Sequence, residues 1–129
     1  MIHLRSTQLA MSDNITWIIE GTIKSGQLDS FKALAAEMID TVQAEEPDTM
    51  IYKWFISDDH GSYRIHDSYA DSAAVMTHLQ HFGQRFADRF FAIAEVTGFS
   101  VYGNPNDEAR AALRGFGAMF MASVGGFTR

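Results

Sequence analysis

The sequence predicts an α+β domain in which two helices cover one face of an antiparallel sheet. Four runs of β-branched and aromatic residues indicate strands, and two long segments have the apolar spacing of helices. Turn signals separate these runs, and 129 residues suit a single domain. The resulting order β-α-β-β-α-β is that of the split βαβ, ferredoxin-like fold with a four-stranded sheet. A short helix and an extended arm follow it.

The first half of the chain predicts a strand, a helix and a second strand. Residues 15–23 (ITWIIEGTI) predict the first strand. Apolar side chains recur at helical spacing over residues 28–44 and predict a long amphipathic helix. Pro47 ends it, because proline disfavours the helical conformation of the preceding residue. Residues 50–56 predict the second strand, and the turn 57–61 makes a hairpin with the next one.

The second half predicts a strand, a helix that kinks, and a fourth strand. Residues 63–69 predict the third strand, after which Asp71 or Ser72 can cap a helix from Ala73 to Gln80. We expect a kink at Phe82-Gly83 and a restart through Ala94. Residues 96–102 predict the fourth strand.

Both ends of the chain lie outside this β-α-β-β-α-β unit. We expect residues 1–13 to be an N-terminal arm, residues 14–103 the domain, and residues 104–129 a C-terminal extension. For the first ten residues an ordered arm, an upstream start and a frayed tail remain alternatives. Asn104 as cap and Pro105 in the first turn predict a short helix to about Leu113. The remaining residues contain four glycines and predict an extended, partly strand-like arm that packs on the same domain or on a dimer partner.

The predicted sheet is apolar on parts of both faces. In the second strand Tyr52, Trp54 and Ile56 point one way, whereas Ile51 and Phe55 point the other. A sheet face without helices should be polar if it meets water, and an exposed apolar patch usually marks an interface. We therefore expect a homodimer packed sheet against sheet. The alternative is a C-terminal arm that folds back over the second face.

Composition excludes several function classes. A net charge of −6 without any basic run argues against nucleic acid or a membrane surface as partner. The absence of cysteine excludes disulfides and thiolate chemistry. Nothing approaches the roughly 20 apolar residues of a membrane helix or the pattern of a signal peptide, so we expect a cytoplasmic protein. GxGxxG, P-loop and GxSxG motifs are absent.

His78 is the strongest candidate for chemistry. Ala74 and Phe82 lie one turn away on the same helix face, so the ring should point into the cleft between helix and sheet. A neutral imidazole there could accept a substrate proton or hold a polar ligand group. The alternative is a core histidine bonded to a carbonyl or to Asp67. His81, at i+3, could share a metal with it, but no carboxylate stands at a supporting helical position, HExxH is absent, and His81 is expected on the exposed side.

Asp67 is the second candidate. Aspartate is unfavourable inside a strand, so it needs a partner such as His78, Tyr52 or a backbone donor. With Tyr69 these groups would form a polar cluster in an apolar pocket, the usual form of a small-molecule site. The alternative is an edge-strand aspartate in water.

An aromatic set in the second helical segment suits a planar ligand and, equally, a core. The i+4 repeat within it is what any core-facing helix needs. Its members, with one tryptophan from the second strand, are Phe82, Phe86, Phe90, Phe91 and Trp54.

One set of residues resembles the antibiotic biosynthesis monooxygenase (ABM) superfamily, in its quinol monooxygenase-like branch. It consists of Asp67, Tyr69, Asp71, Ala74, His78, Leu79 and Phe82, supported by Gly26, Glu46-Pro47 and Tyr52. The resemblance covers residues 14–103, and Val101 to Pro105 and Gly126-Phe127 add to it more weakly.

This resemblance implies a dimeric α/β barrel with a pocket between sheet and helices in each subunit. It implies a monooxygenase, an oxidoreductase that oxidises a small aromatic or quinol ligand with dioxygen and no cofactor. His78 would bind or deprotonate the phenol and Asp67 would join it in catalysis. The implied substrate-binding residues are Tyr52, Trp54, Tyr69, Phe82 and Phe86.

Departures from the family pattern limit what can be carried over. The haem-degrading branch has an asparagine in the first strand, where this chain has Glu20-Gly21. His78 stands where that branch has a tryptophan, and Phe86 stands near its later histidine, so haem degradation is not expected. Asp67 replaces a commoner glutamate and has a shorter reach. A non-catalytic binding dimer and an isomerase or decyclase with His78 or Asp67 as base remain alternatives.

Overall fold

The computed structural model describes residues 14–129, and the predicted N-terminal arm lies outside them. The element order confirms the predicted α+β fold with its β-α-β-β-α-β unit. The elements are β1 (Ile15–Ile23), α1 (Leu28–Glu45), β2 (Thr49–Ile56), β3 (Ser62–Tyr69), α2 (Ser72–Arg85), α3 (Ala87–Ile93), β4 (Ala94–Tyr102), α4 (Asp107–Arg114) and β5 (Met119–Met121).

The sheet has the order β2-β3-β1-β4-β5. The first four strands are antiparallel, as predicted, whereas β5 lies parallel to β4 and makes the sheet mixed. The C-terminal arm therefore extends the sheet at one edge. It does not fold back over the second face, which was the alternative to an apolar interface.

Strand register places the candidate residues in one row across the sheet. Trp17 pairs with Asp67 on one side and with Val101 on the other. Tyr52 pairs with Asp67 from the opposite strand. Because paired residues point to the same face, all four side chains lie on the face that the helices cover.

Helix α2 begins where predicted but ends later. Asp71 is its N-cap, since its side chain accepts from the backbone N–H of Ala74 at 2.9 Å. The predicted kink at Phe82-Gly83 is wrong, because the helix continues to Arg85 and turns at Phe86. A glycine within a helix costs only about 1 kcal/mol, and burial of Phe86 fixes the turn instead.

Helix α4 begins two residues later than predicted. Asn106, not Asn104, is the N-cap, and its side chain accepts from the backbone N–H of Ala109 at 2.9 Å. Asp107 then stands at the positive end of the helix and Pro105 precedes it.

Two clusters of buried side chains form the core. One surrounds Trp17 and Val75 and includes Ala109 and Leu113 of α4, so this helix packs on the same domain. The other surrounds Tyr63 and lies under α1 and α3. Within residues 14–129, no helix combines the length and hydropathy needed to cross a membrane.

The outer sheet face keeps apolar side chains exposed at both edges. Ile51 and Phe55 of β2 are 44% and 50% exposed, and Met119 and Met121 of β5 are exposed as well. The centre is more polar, with Thr16 and Ser68 hydrogen-bonded to each other at 3.2 Å. The predicted two-sided apolar pattern is therefore present.

Candidate functional site

A cavity of about 410 Å³ lies between the sheet and helices α2 and α3. Its wall is largely aromatic and aliphatic, and the segment after α4 closes part of it. The lining residues are Trp17, Ile19, Met38, Tyr52, Ile65, Asp67, His78, Leu79, Phe82, Phe90, Phe91, Val96, Phe99, Gly115 and Phe116.

Polar groups converge in this apolar cavity. Nε2 of His78 lies 3.8 Å from Oδ2 of Asp67, and the Tyr69 hydroxyl donates to the same oxygen at 2.6 Å. The His78 ring also packs against aromatic neighbours, with centroids 5.5 Å from Tyr52 and 6.1 Å from Trp17. The imidazole is therefore held in one place beside the Asp67 carboxyl group.

Burial dominates the electrostatics of Asp67. It raises the pKa of this carboxyl group to about 6, although His78 and Tyr69 act to lower it. Trp17 also lowers this pKa, but its indole N–H does not reach hydrogen-bond geometry. Oδ1 of Asp67 and Nε1 of Trp17 are both buried without a hydrogen-bond partner among residues 14–129. Such an atom costs about 1–3 kcal/mol, which a ligand group in the cavity would recover.

Both tyrosines beside Asp67 are hydrogen-bond donors at neutral pH. Burial raises the pKa of Tyr69 and of Tyr52 well above 10, and the negative charge of Asp67 adds to the effect. Neither phenol can therefore act as a base at neutral pH.

A second carboxylate supports His78 from behind. Oε1 of Glu46 lies 2.9 Å from Nδ1 of His78 and accepts from the Thr49 hydroxyl at 3.0 Å. Oε2 of Glu46 lies 2.9 Å from Nδ1 of His81. Burial raises the pKa of Glu46, but hydrogen bonds from His78, His81 and Thr49 outweigh it and the net pKa is lowered. The prediction that His81 lies on the exposed side is wrong, because it is half-buried against Glu46.

The structure brings some of the predicted site residues together and leaves others apart. His78, Asp67, Tyr52 and Phe82 line the cavity. Tyr69 is not part of the cavity wall, but its hydroxyl binds Asp67 and its ring packs against Trp17 and His78. Two predicted residues, Trp54 and Phe86, pack in the core cluster around Tyr63 and are not part of the cavity wall.

Glu46 and Trp17 are the site residues that sequence reasoning missed. Glu46 entered only as part of the family resemblance and was given no role in the site, because its histidine partners lie more than 30 positions away. Trp17 shares its face with Ile15 and Ile19 and has the pattern of a core residue. One signal was present: two histidines at i, i+3 near a buried helix face need an acceptor.

The arrangement suits binding and deprotonation of a hydroxyl group. An oxygen atom can lie within hydrogen-bond distance of both Nε2 of His78 and Oδ2 of Asp67, since these atoms are 3.8 Å apart. Within residues 14–129, no group of three or more His, Asp or Glu side chains is arranged to hold a metal ion.

Comparisons with known proteins agree with this fold. The family model described as antibiotic biosynthesis monooxygenase matches residues 14–85. MupZ from Pseudomonas fluorescens superposes with a TM-score of 0.74 at 21% identity, over 90% of this chain and 94% of that one. SnoaB, a cofactor-independent oxygenase from Streptomyces nogalater, superposes with a TM-score of 0.61 at 18% identity, over 73% of this chain and 95% of that one.

The two kinds of comparison carry different weight. A conserved protein from Methanosarcina mazei gives a TM-score of 0.64 at 14% identity, over 75% of this chain and 98% of that one. At such identities the structural likeness shows the fold alone. No curated protein matches the chain. The family match covers more than half of the sequence, and the chain therefore belongs to the antibiotic biosynthesis monooxygenase family.

Proposed function

We propose that the protein is a cofactor-independent monooxygenase that oxidises a small aromatic phenol or quinol with dioxygen. The observation that carries the proposal is the pair of Nε2 of His78 and Oδ2 of Asp67, 3.8 Å apart in an otherwise apolar cavity. Membership of the monooxygenase family supports the reaction class, and SnoaB is a cofactor-independent oxygenase of the same fold.

The cavity fits a planar ligand with one polar end. Its 410 Å³ falls in the range of about 300–1,000 Å³ that ligand pockets occupy. The rings of Phe82, Phe90 and Phe91 lie edge to face around its apolar part, with centroids 5.5–5.9 Å apart. A fused aromatic ring system would contact these side chains, and its hydroxyl group would reach His78.

In the proposed reaction His78 removes the hydroxyl proton of the substrate through Nε2. The resulting anion is electron-rich, and its ring carbon forms a bond to dioxygen. The O–O bond then breaks, one oxygen stays on the carbon as a carbonyl, and the other leaves as water with the two hydrogens that the substrate gives up. The substrate supplies all the electrons, and dioxygen is the oxidant. The apolar wall excludes water from the anion.

Oxygen uptake with a naphthoquinol tests this function. We expect consumption by the wild-type protein and a loss of roughly 10²- to 10⁴-fold in His78→Ala, the usual contribution of a general base. Glu45→Gln is the matched control, because Glu45 is an exposed partner of Arg85 outside the cavity. Equal rates in His78→Ala and in the control would contradict the role of His78. Saturable naphthoquinol binding without oxygen uptake would indicate a binding protein, and turnover without oxygen would indicate an isomerase.

We further propose that two copies pack sheet against sheet. Ile51 and Phe55 remain exposed on the outer face, and the C-terminal arm leaves them uncovered. A second copy would remove these apolar side chains from water.

A further inference from the structure

The carboxylate of Glu46 lies at the junction of α1 and β2, and Glu46 is not part of the wall of the cavity that His78 lines. It is 5% exposed and receives hydrogen bonds from three side chains on two other elements. A buried charge is tolerated only when it is fully hydrogen-bonded. Three side-chain donors therefore hold the ionised Glu46 carboxylate beside Nδ1 of His78.

An ionised carboxylate dictates which nitrogen of His78 carries hydrogen. It can only accept, so Nδ1 of His78, 2.9 Å from Oε1, must be the N–H. In the neutral ring Nε2 then has the free lone pair, and Nε2 is the atom that faces Asp67. The opposite tautomer would place two lone pairs against each other at Glu46.

His81 acts on the same carboxylate from the other oxygen. Its Nδ1 lies 2.9 Å from Oε2, and its side chain is 20% exposed at the rim of the site. Because Oε2 is bound by His81 and Oε1 by Thr49, the plane of the carboxylate is set before His78 is considered. His81 does not line the cavity, and its side chain binds Glu46, which in turn binds His78.

We propose that Glu46 is the positioning residue for His78 and that His81 fixes Glu46 in the orientation this requires. The pair holds His78 as the Nδ1–H tautomer, with Nε2 available to a ligand hydroxyl. The same carboxylate stabilises the positive ring after Nε2 takes a proton. The proposal rests on the proposed function for what Nε2 does, but the tautomer stands independently of it.

Nitrogen NMR of histidine-labelled protein tests the tautomer directly. We expect Nδ1–H at both His78 and His81 in the wild type and in Glu45→Gln. In Glu46→Gln the amide has one acceptor and one donor group, so at least one of the two rings should change to Nε2–H. Nε2–H at His78 in the wild type, or Nδ1–H at both rings in Glu46→Gln, would overturn the proposal.

His81→Ala is the second variant, useful if Glu46→Gln does not fold, because His81 is partly exposed. We expect His78 to show both tautomers in it, since Oε2 of Glu46 is then unbound and the carboxylate can rotate. His81→Asn keeps a donor and should restore the Nδ1–H form. A pure Nδ1–H tautomer of His78 in His81→Ala would contradict the role given to His81.

Steady-state oxygen uptake with a naphthoquinol separates positioning from a purely structural role. In Glu46→Gln we expect kcat to fall roughly 10- to 100-fold, as for other supporting residues, with KM within about twofold. A kcat equal to that of Glu45→Gln would overturn the proposal while the proposed function stands. If the wild type itself consumes no oxygen, the proposed function fails and the NMR result still decides the tautomer.

Discussion

At the scale of single residues, the site contains two buried carboxyl groups whose pKa values are shifted in opposite directions. Burial raises the pKa of Asp67 to about 6, whereas donors lower that of Glu46. Ionisation of Asp67 is less favourable in the folded protein than in the unfolded chain, so its contribution to stability is greatest below pH 4 and is lost as pH rises through 6. The pKa of Glu46 is lowered instead, so its contribution to folding stability is present at neutral pH and is lost as pH falls.

Asp67→Asn should therefore stabilise the fold at pH 7.5. The raised pKa corresponds to a cost of ionisation of up to about 3 kcal/mol, which the neutral amide avoids while its oxygen still accepts from Tyr69. Thermal unfolding at pH 7.5 and pH 4 checks this, and the gain in Tm should shrink at pH 4. Asp40→Asn, on the exposed face of α1, is the control and should change neither value. An equal gain in Tm at pH 7.5 and at pH 4 would contradict the raised pKa of Asp67.

Sequence reasoning succeeded with residues whose role depends on their own element. The helical neighbours of His78 correctly indicated that it faces the cleft, and the misfit of an aspartate in a strand indicated that Asp67 has a partner. Glu46 could not be found in the same way. Its role depends on how the end of α1 meets the middle of α2, and no local pattern specifies the distance between two elements.

At the scale of elements, periodicity predicted the first four strands and the two long helical segments, but it placed the end of α2 and the start of α4 less accurately. Gly83 was expected to interrupt α2, yet the helix ends where Phe86 turns into the core. The strand β5 has only three residues, and it forms because the edge of β4 offers free backbone groups. A tertiary cause of this kind leaves little trace in a short sequence window.

The N-cap of α4 gives a stability prediction. Asn106→Ala removes the acceptor for the Ala109 N–H and should lower the free energy of unfolding by about 1 kcal/mol. Denaturant unfolding measures the change. Asn104→Ala is the matched control, since Asn104 does not cap the helix and its side chain accepts from Arg110 at 3.4 Å. A larger loss in the Asn104 variant would place the cap where the sequence predicted it.

At the scale of the whole molecule, the outer sheet face is where the proposed dimer would form. Phe55→Lys places a charge among the exposed apolar side chains of β2 and should weaken the proposed dimer. Light scattering over a dilution series measures the mass, and we expect the variant to dissociate at a higher concentration than the wild type. Asp40→Lys adds a lysine on the helical side and serves as control. A monomeric wild type, or equal dissociation of both variants, would contradict sheet-to-sheet packing.

The C-terminal extension closes part of the cavity through Gly115 and Phe116. Every polar lining side chain described above, including His78 and Asp67, comes from the stretch that matches the family model. The lining residues beyond that stretch, Phe90 to Phe116, are all apolar or glycine. The polar groups of the proposed site thus come from one part of the chain, whereas both parts contribute to its apolar wall. Under the proposed function, we expect substitutions confined to the last third of the chain to change which aromatic ligand fits, while His78 and Asp67 stay unchanged.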